Sequence, residues 1–240
     1  TMLMTNFLQK RKSVRNFKKD TVPRDSLENI KLLMDELDQE EGEINFSLYE
    51  NGKIVAEGLR GKAGYSGVMI EAPHYIALDI TNDKPLNILK GGYCLEKLNT
   101  KIVDLDLDTC WITVDDVDAE TKKAIFGENG IGIDYLIAIG YGQKKKLFDP
   151  EVTSSRLNVD EIVFADTLGN PVSIETLENY GVFDVFSSVR YAPSHKNFQP
   201  WRFVLKGSVV EAYMLKSDED SRSLIDMGVI LRSEERRVGK

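Results

Sequence analysis

Ala192-Pro193-Ser194-His195-Lys196-Asn197-Phe198-Gln199-Pro200-Trp201-Arg202-Phe203 is the stretch on which the reading of this chain turns. Pro193 and Pro200, with Ser194 and Asn197 between them, cannot continue the helical pattern that precedes them, so the backbone has to turn and leave polar groups free. From Trp201 the pattern is that of a strand. A Ser, an Asn and a Gln between a helix and a buried strand form a donor and acceptor set able to read the edge of a flat heterocycle. An ordinary helix-to-strand loop accounts for the same residues, and a short motif alone does not separate the two.

Beyond the loop, Trp201 to Leu205 pairs through Lys206-Gly207 with Val209 to Leu215, and an apolar helical face begins at Leu224. Asp226-Met227-Gly228-Val229-Ile230-Leu231 echoes Lys90-Gly91-Gly92-Tyr93-Cys94-Leu95, and Glu175-Thr176-Leu177-Glu178-Asn179 echoes Asp25-Ser26-Leu27-Glu28-Asn29. Two matches in the same order read as an internal duplication, with helices and strands alternating in each copy. That pattern predicts an α/β or α+β domain paired with its own duplicate as two subunits would be.

In the first copy, Asn6 to Arg15 reads as a short helix anchored by Phe7, Leu8 and Val14, with Arg11, Ser13 and Arg15 on a rim that can hold an anion. Solvated basic turns of this kind are common. Val22-Pro23 stops the chain, and Asp25 or Ser26 caps a helix through about Leu37 whose core stripe is Leu27, Ile30, Leu33, Met34 and Leu37. Asp38 to Glu43 is a solvated helix end. Asn45 to Tyr49 and Lys53 to Ala56 flank Asn51-Gly52, a hairpin signal. Ala72 to Ile80 is a buried strand, and Ile88 to Leu105 a long helix in which Gly91-Gly92 permits close packing. Thr109 to Val114 and Tyr135 to Tyr141 are further strands. Lys144-Lys145-Lys146 closes the half, and Phe148 to Asp160, polar around Asp149-Pro150, reads as a linker. Trp111 and Trp201 lie in strand patterns and read as core aromatics.

Composition excludes several classes of function. With 240 residues, 42% hydrophobic and 29% charged, the chain can build one large core or two small ones. A net charge of -8 lacks the basic footprint of a nucleic-acid binder. No apolar run suggests a membrane span and no signal-peptide pattern opens the chain, so a cytoplasmic location is expected. Cys94 and Cys110 sit in apolar surroundings and read as buried thiols. Two histidines, His74 and His195, do not make a zinc site. Gly127 to Gly132 lacks the strand-to-helix context of a dinucleotide-binding loop.

Arg11-Lys12-Ser13-Val14-Arg15-Asn16-Phe17, Ala192-Pro193-Ser194 with Asn197 and Gln199-Pro200-Trp201, Thr109-Cys110-Trp111 and Ile139-Gly140-Tyr141 resemble the nitroreductase family of FMN-dependent oxidoreductases, up to about Arg232. The resemblance implies an α+β, nitroreductase-like fold. In that family the usual protein is a homodimer, with each FMN between one subunit's Arg/Ser motif and the other's Pro-Ser-Asn loop. Here the first half has Gln39 to Asn45 where that loop belongs, and the second half has the loop without an Arg/Ser motif. The chain therefore looks like a fused, pseudo-dimeric branch with one composite site. The expected division is a first half over 1–147, a linker over 148–160, a second half over 161–232 and an unrelated tail over 233–240.

Carried over by resemblance, Arg11, Lys12, Ser13 and Arg15 would hold the phosphate, ribityl chain or pyrimidine edge of FMN. Pro193, Ser194, His195 and Asn197 would meet the isoalloxazine and its side chain. Gln199 would either join them or brace the loop. Lys144 and Lys145 sit where some relatives place a phosphate ligand, though a lysine run at a strand end is often solvated. The flavin carries the chemistry, so no catalytic side chain is expected. The implied reaction passes hydride from NADH or NADPH through FMN to a small-molecule acceptor of nitroaromatic or quinone type. An FMN-binding store or sensor without turnover would show the same motifs. A monomeric pseudo-dimer or a weak homodimer is expected. Ser233 to Lys240 looks foreign to the family pattern and is expected to fray, leaving the second half without its last helix turns and final strand.

Overall fold

The structure, a computed structural model, describes residues 13–143, 155–218 and 220–238, without the side chains of 220 and 233–238. It is a mixed α+β chain that divides into two compact units, and no single cut separates them. Lys12–Asn87 and Lys97–Asp149 form one unit; Ile88–Glu96 belongs with Pro150–Lys240 in the other.

The first unit begins with α1 (Arg24–Glu40), which buries Leu27, Ile30, Met34 and Leu37 at helical spacing. Its start is set by Pro23, whose carbonyl accepts the Ser26 and Leu27 amides, rather than by an Asp25 or Ser26 side-chain cap. Strands β1 (Ile44–Tyr49), β2 (His74–Ile80), β3 (Asp108–Thr113) and β4 (Ile133–Gly140) form an antiparallel sheet in the order β1-β2-β4-β3. The central strands carry unbroken apolar runs, Tyr75–Leu78 and Tyr135–Ile139, because both of their faces are covered. Between β1 and β2 lies α2 (Gly52–Leu59), and between β3 and β4 lies α4 (Ala119–Phe126), capped by Asp118 accepting the Thr121 amide. The intervening helix α3 (Pro85–Asp104) opens on a proline whose fixed φ suits a first turn.

Two expectations fail here for identifiable reasons. Asn51-Gly52 is not a hairpin turn but the start of α2. A Cβ at Gly52 would lie 2.1 Å from the Ala72 carbonyl oxygen, and the Gly52 amide donates to Pro73 O at 2.9 Å. The glycine is there for close backbone approach, and Val55, Ala56 and Leu59 bury the helix. The helix expected over Asn6 to Arg15 does not reach Arg15. The Val14 amide donates to Thr109 O, Phe17 bridges Gly142, and Lys18 donates to Tyr141 O. This segment therefore satisfies backbone groups along the β3 edge and just past β4, which a helix could not do.

The second unit holds α5 (Val159–Ile162), opened by an Asn158/Glu161 capping box, then β5 (Val163–Ala165), α6 (Ile174–Asn179) and α7 (Phe183–Val189). Strand β6 (Trp201–Lys206) pairs in parallel with β5 and through the Gly207 turn (φ 59°) with β7 (Val209–Met214). Its core gathers Ile162, Val163, Leu177, Phe186, Val189, Trp201, Phe203, Met227 and Ile230, with Leu89 packed against it. The final helix α8 spans Asp220–Val238. The backbone thus stays helical beyond Arg232, against the expectation that helical order stops there. Within this unit Gly228 and Gly92 meet reciprocally: a Cβ at Gly228 would lie 1.9 Å from Leu89 O, and one at Gly92 would lie 2.0 Å from Ile225 O. Only glycines let the two helices cross this closely.

Candidate functional site

The loop between α7 and β6 is built under strain. Ser194 is extended, and Lys196, Asn197 and Gln199 all take left-handed φ values of 49°, 56° and 50°. Asn tolerates that region, but Lys and Gln pay for it, so three such residues in four positions need an external hold. Hydrogen bonds within the turn supply part of it: Asn197 N to Ser194 O, Phe198 N to His195 O, and Gln199 N to Ser194 Oγ at 2.9 Å. The rest comes from Ser155–Leu157, the described end of the expected linker. Asn197 Nδ2 donates to Ser155 O at 2.7 Å, and Leu157 N donates to Gln199 Oε1 at 3.0 Å. Arg156 Nη1 reaches Ala192 O at 2.9 Å, and Arg190 Nε reaches Leu157 O at 2.6 Å. Burial pulls the Arg156 guanidinium below its usual range.

Gln199 is buried, with its amide oxygen accepting from Leu157 N and its Nε2 donating to Asn197 O at 3.2 Å, which is the bracing role. Asn197 differs. Its Nδ2 is fixed by Ser155, which settles the amide orientation and leaves Oδ1 buried with no hydrogen-bond partner among the described residues.

Behind the loop lies a cavity of about 380 Å³ lined by His195, Lys196, Phe198, Asp218, Arg222 and Asp226, among others. Asp226, only 3% exposed, accepts the His195 amide at 3.1 Å (Oδ2) and 3.3 Å (Oδ1). Burial pushes its carboxyl up to about 8, against the lowering effect of that amide. Arg222 Nη1 lies 2.7 Å from His195 Nε2. A guanidinium only donates, so Nε2 accepts and the ring is the neutral Nδ1–H tautomer.

The Arg/Ser motif lies in the other unit, and only part of it is described. Ser13 and Arg15 are exposed, and the Arg15 guanidinium sits 3.5 Å above the Tyr65 ring centre. A ring engages the guanidinium's face and leaves its in-plane N–H groups available to an anion. Arg11, Lys12, Lys144 and Lys145 lie outside the described residues. Of the sequence-predicted residues, Pro193, Ser194, His195, Asn197 and Gln199 come together in one turn of the second unit, while Ser13 and Arg15 neighbour each other in the first.

Sequence reasoning missed Ser155–Leu157, Arg222 and Asp226. The signal for Asp226 was present: a lone carboxylate inside the apolar run Leu224 to Leu231, four residues after an arginine. Cys94 and Cys110 are buried thiols, not joined in a disulfide, and burial raises the Cys110 thiol to about 11. Trp201 is fully buried and Trp111 half-buried. Among the described residues no group of His, Cys, Asp and Glu could hold a metal ion, and no helix is long and apolar enough to cross a membrane.

Among solved structures, a "putative nitroreductase" of Thermotoga maritima shares this fold with a TM-score of 0.62 and 16% identity, covering 97% of this chain and 82% of its own. An FMN-dependent nitroreductase of Clostridium difficile matches with 21% identity and TM-score 0.48, over 60% of this chain and 91% of that one. An FMN-dependent nitroreductase of Mycobacterium smegmatis, in complex with NADPH, matches with 15% identity and TM-score 0.49, over 58% and 87%. These two add nothing to the fold assignment. No curated protein matches the sequence. The sequence model of one family, described as "Putative TM nitroreductase", spans residues 4–234, and the chain belongs to that nitroreductase family.

Proposed function

We propose that this chain is an FMN-dependent oxidoreductase passing hydride from NADH or NADPH through FMN to a flat electron acceptor of nitroaromatic or quinone type. The observation that carries this reading is the turn at Ser194–Gln199, held in a left-handed conformation that leaves Asn197 Oδ1 buried with no partner among the described residues. A buried acceptor without a donor costs about 1 to 3 kcal/mol unless a ligand supplies one, and an imide N–H or a ribityl hydroxyl is such a donor. The Ser194 hydroxyl accepts from Gln199 N and keeps its own proton to give. FMN, when bound, supplies the redox chemistry.

The protein's own residues bind and orient. Asn197 and Ser194 offer an acceptor and a donor to the flavin's polar edge, and Pro193 and His195 border them. Arg15, engaged through its face by Tyr65, offers N–H groups to a phosphate or to negative charge on the ring system. We assign Ser13, Arg11 and Lys12 to the same anion-holding group, and Lys144 and Lys145 to the phosphate end. Gln199 serves the loop. The reciprocal Gly92–Gly228 contact supports reading the chain as a duplicated, pseudo-dimeric nitroreductase, since the two glycines occupy matching places in the echoed segments.

Purified chain incubated with FMN, freed of excess and scanned for flavin absorbance tests the reading. The expected result is about one FMN per chain, with NADH or NADPH oxidised when a quinone or nitroaromatic is supplied. Bound flavin without turnover would favour a store or sensor, and no bound flavin would overturn the proposal.

A further inference from the structure

The strained turn is held from two sides, one of them Ser155–Leu157, which contributes backbone groups and the Arg156 guanidinium. The other side is α8. Asp226 takes the His195 amide on its carboxyl, and Arg222, one helical turn earlier, holds the His195 ring through Nε2. Spacing of four residues puts both side chains on one face of the helix. Gly228, two residues on, fixes that helix against Leu89 and Tyr93 at backbone contact, so the clamp stands on a rigid support.

We infer that Asp226 and Arg222 are positioning residues that set the Pro193–Asn197 turn through the backbone and ring of His195, an assignment that rests on the flavin reading above. Asp226 is too buried to serve as a surface ligand, and its energetic cost is accounted for by what it orders. His195 is the first residue of the turn, and the left-handed residues Lys196 and Asn197 follow it directly. Releasing the His195 amide lets the turn relax toward ordinary φ values. The Asn197 amide would then lose its orientation while the core of the unit stayed packed.

The clamp has a pH signature. The titratable and charged groups that line one cavity with Asp226 are Arg222 on its own helix, His195 and Lys196 on the turn, and Asp218 ahead of the helix. Around pH 8 the carboxyl passes from neutral to charged while still accepting the His195 amide. A charged acceptor makes the stronger hydrogen bond, so the turn should tighten above that pH.

The experiment compares D226A and D226N in the full chain by amide exchange at His195–Gln199 and by FMN titration. D226A is expected to speed exchange in the turn and weaken FMN by about tenfold each, while D226N, which retains an acceptor oxygen, keeps both within about threefold of the wild type. In the wild type the protection of the His195 amide, taken relative to its intrinsic exchange rate, should rise as pH passes through about 8, whereas in D226N it should stay level. Unchanged exchange in D226A, unchanged FMN affinity in D226A, or loss in a natively folded D226N would each overturn the inference. Should D226A fail to fold, the D226N result and the pH arm decide. A wild type that binds no FMN would overturn the function proposed above, and amide exchange would still decide the positioning role.

Discussion

The chain's two histidines sit in different units and show what separates a structural ring from one at a site. His74, 3% exposed, accepts the Val22 amide on Nε2 at 3.0 Å, and its Nδ1 donates to Glu50 O at 2.8 Å. His195 is also the Nδ1–H tautomer, but its Nε2 faces the Arg222 guanidinium beside a cavity. The difference lies in what they join: His74 pins the start of α1 to the ends of β1 and β2 with neutral backbone groups, whereas His195 ties a strained loop to a charged side chain. A buried ring bonded only to backbone serves the fold, and a ring bonded to movable charged groups beside open space serves a site.

The contrast is open to test, the largest effect first. His74→Ala strands the Val22 amide and the Glu50 carbonyl and opens a void, so urea unfolding should show a loss of about 3 kcal/mol. A loss below about 1 kcal/mol would erase the distinction between the two rings.

The next effect concerns the pH dependence of stability at Asp226. Its ordinary value of 3.8 applies to the unfolded chain and about 8 to the folded one. Below pH 4 both states are protonated and no penalty exists. As pH rises through 4 the unfolded chain ionises while the folded chain holds its proton. The unfolded state then binds fewer protons, and stability falls until about pH 8, where the folded carboxyl also ionises. D226N should abolish that fall and leave the variant more stable than wild type at pH 8. Parallel melting curves for both proteins across pH 4 to 8 would contradict the burial argument.

Asn197→Ala and Arg11→Ala should each weaken FMN by about 1.5 kcal/mol or more, at least tenfold, although they belong to different motifs. Titrations giving wild-type affinity for both would sever the two motifs. His195→Ala carries the smallest effect on stability, under about 1 kcal/mol, because its ring contact is to a long, partly exposed side chain. A loss as large as that of His74→Ala would mean that the two rings do the same work.

The sequence by itself determined the elements whose reasons are local. Apolar spacing marked α1 and the buried runs of β2 and β4, and the Lys206-Gly207 turn marked the β6–β7 hairpin. The Pro193–Gln199 motif carried the family, because prolines and short polar side chains act on their own backbone. Tertiary structure decided the rest, wherever a residue's role depends on a distant partner. Gly52 reads as a turn glycine until the Ala72 and Pro73 carbonyls are seen against it. Ser13–Arg15 reads as the end of a helix until the Thr109 carbonyl claims the Val14 amide. Asp226 stands in the sequence only as a lone carboxylate inside an apolar run, with no partner indicated. Its burial, its hold on His195 and its raised pKa all come from packing between segments some thirty residues apart, a separation along which no local propensity or periodicity carries information.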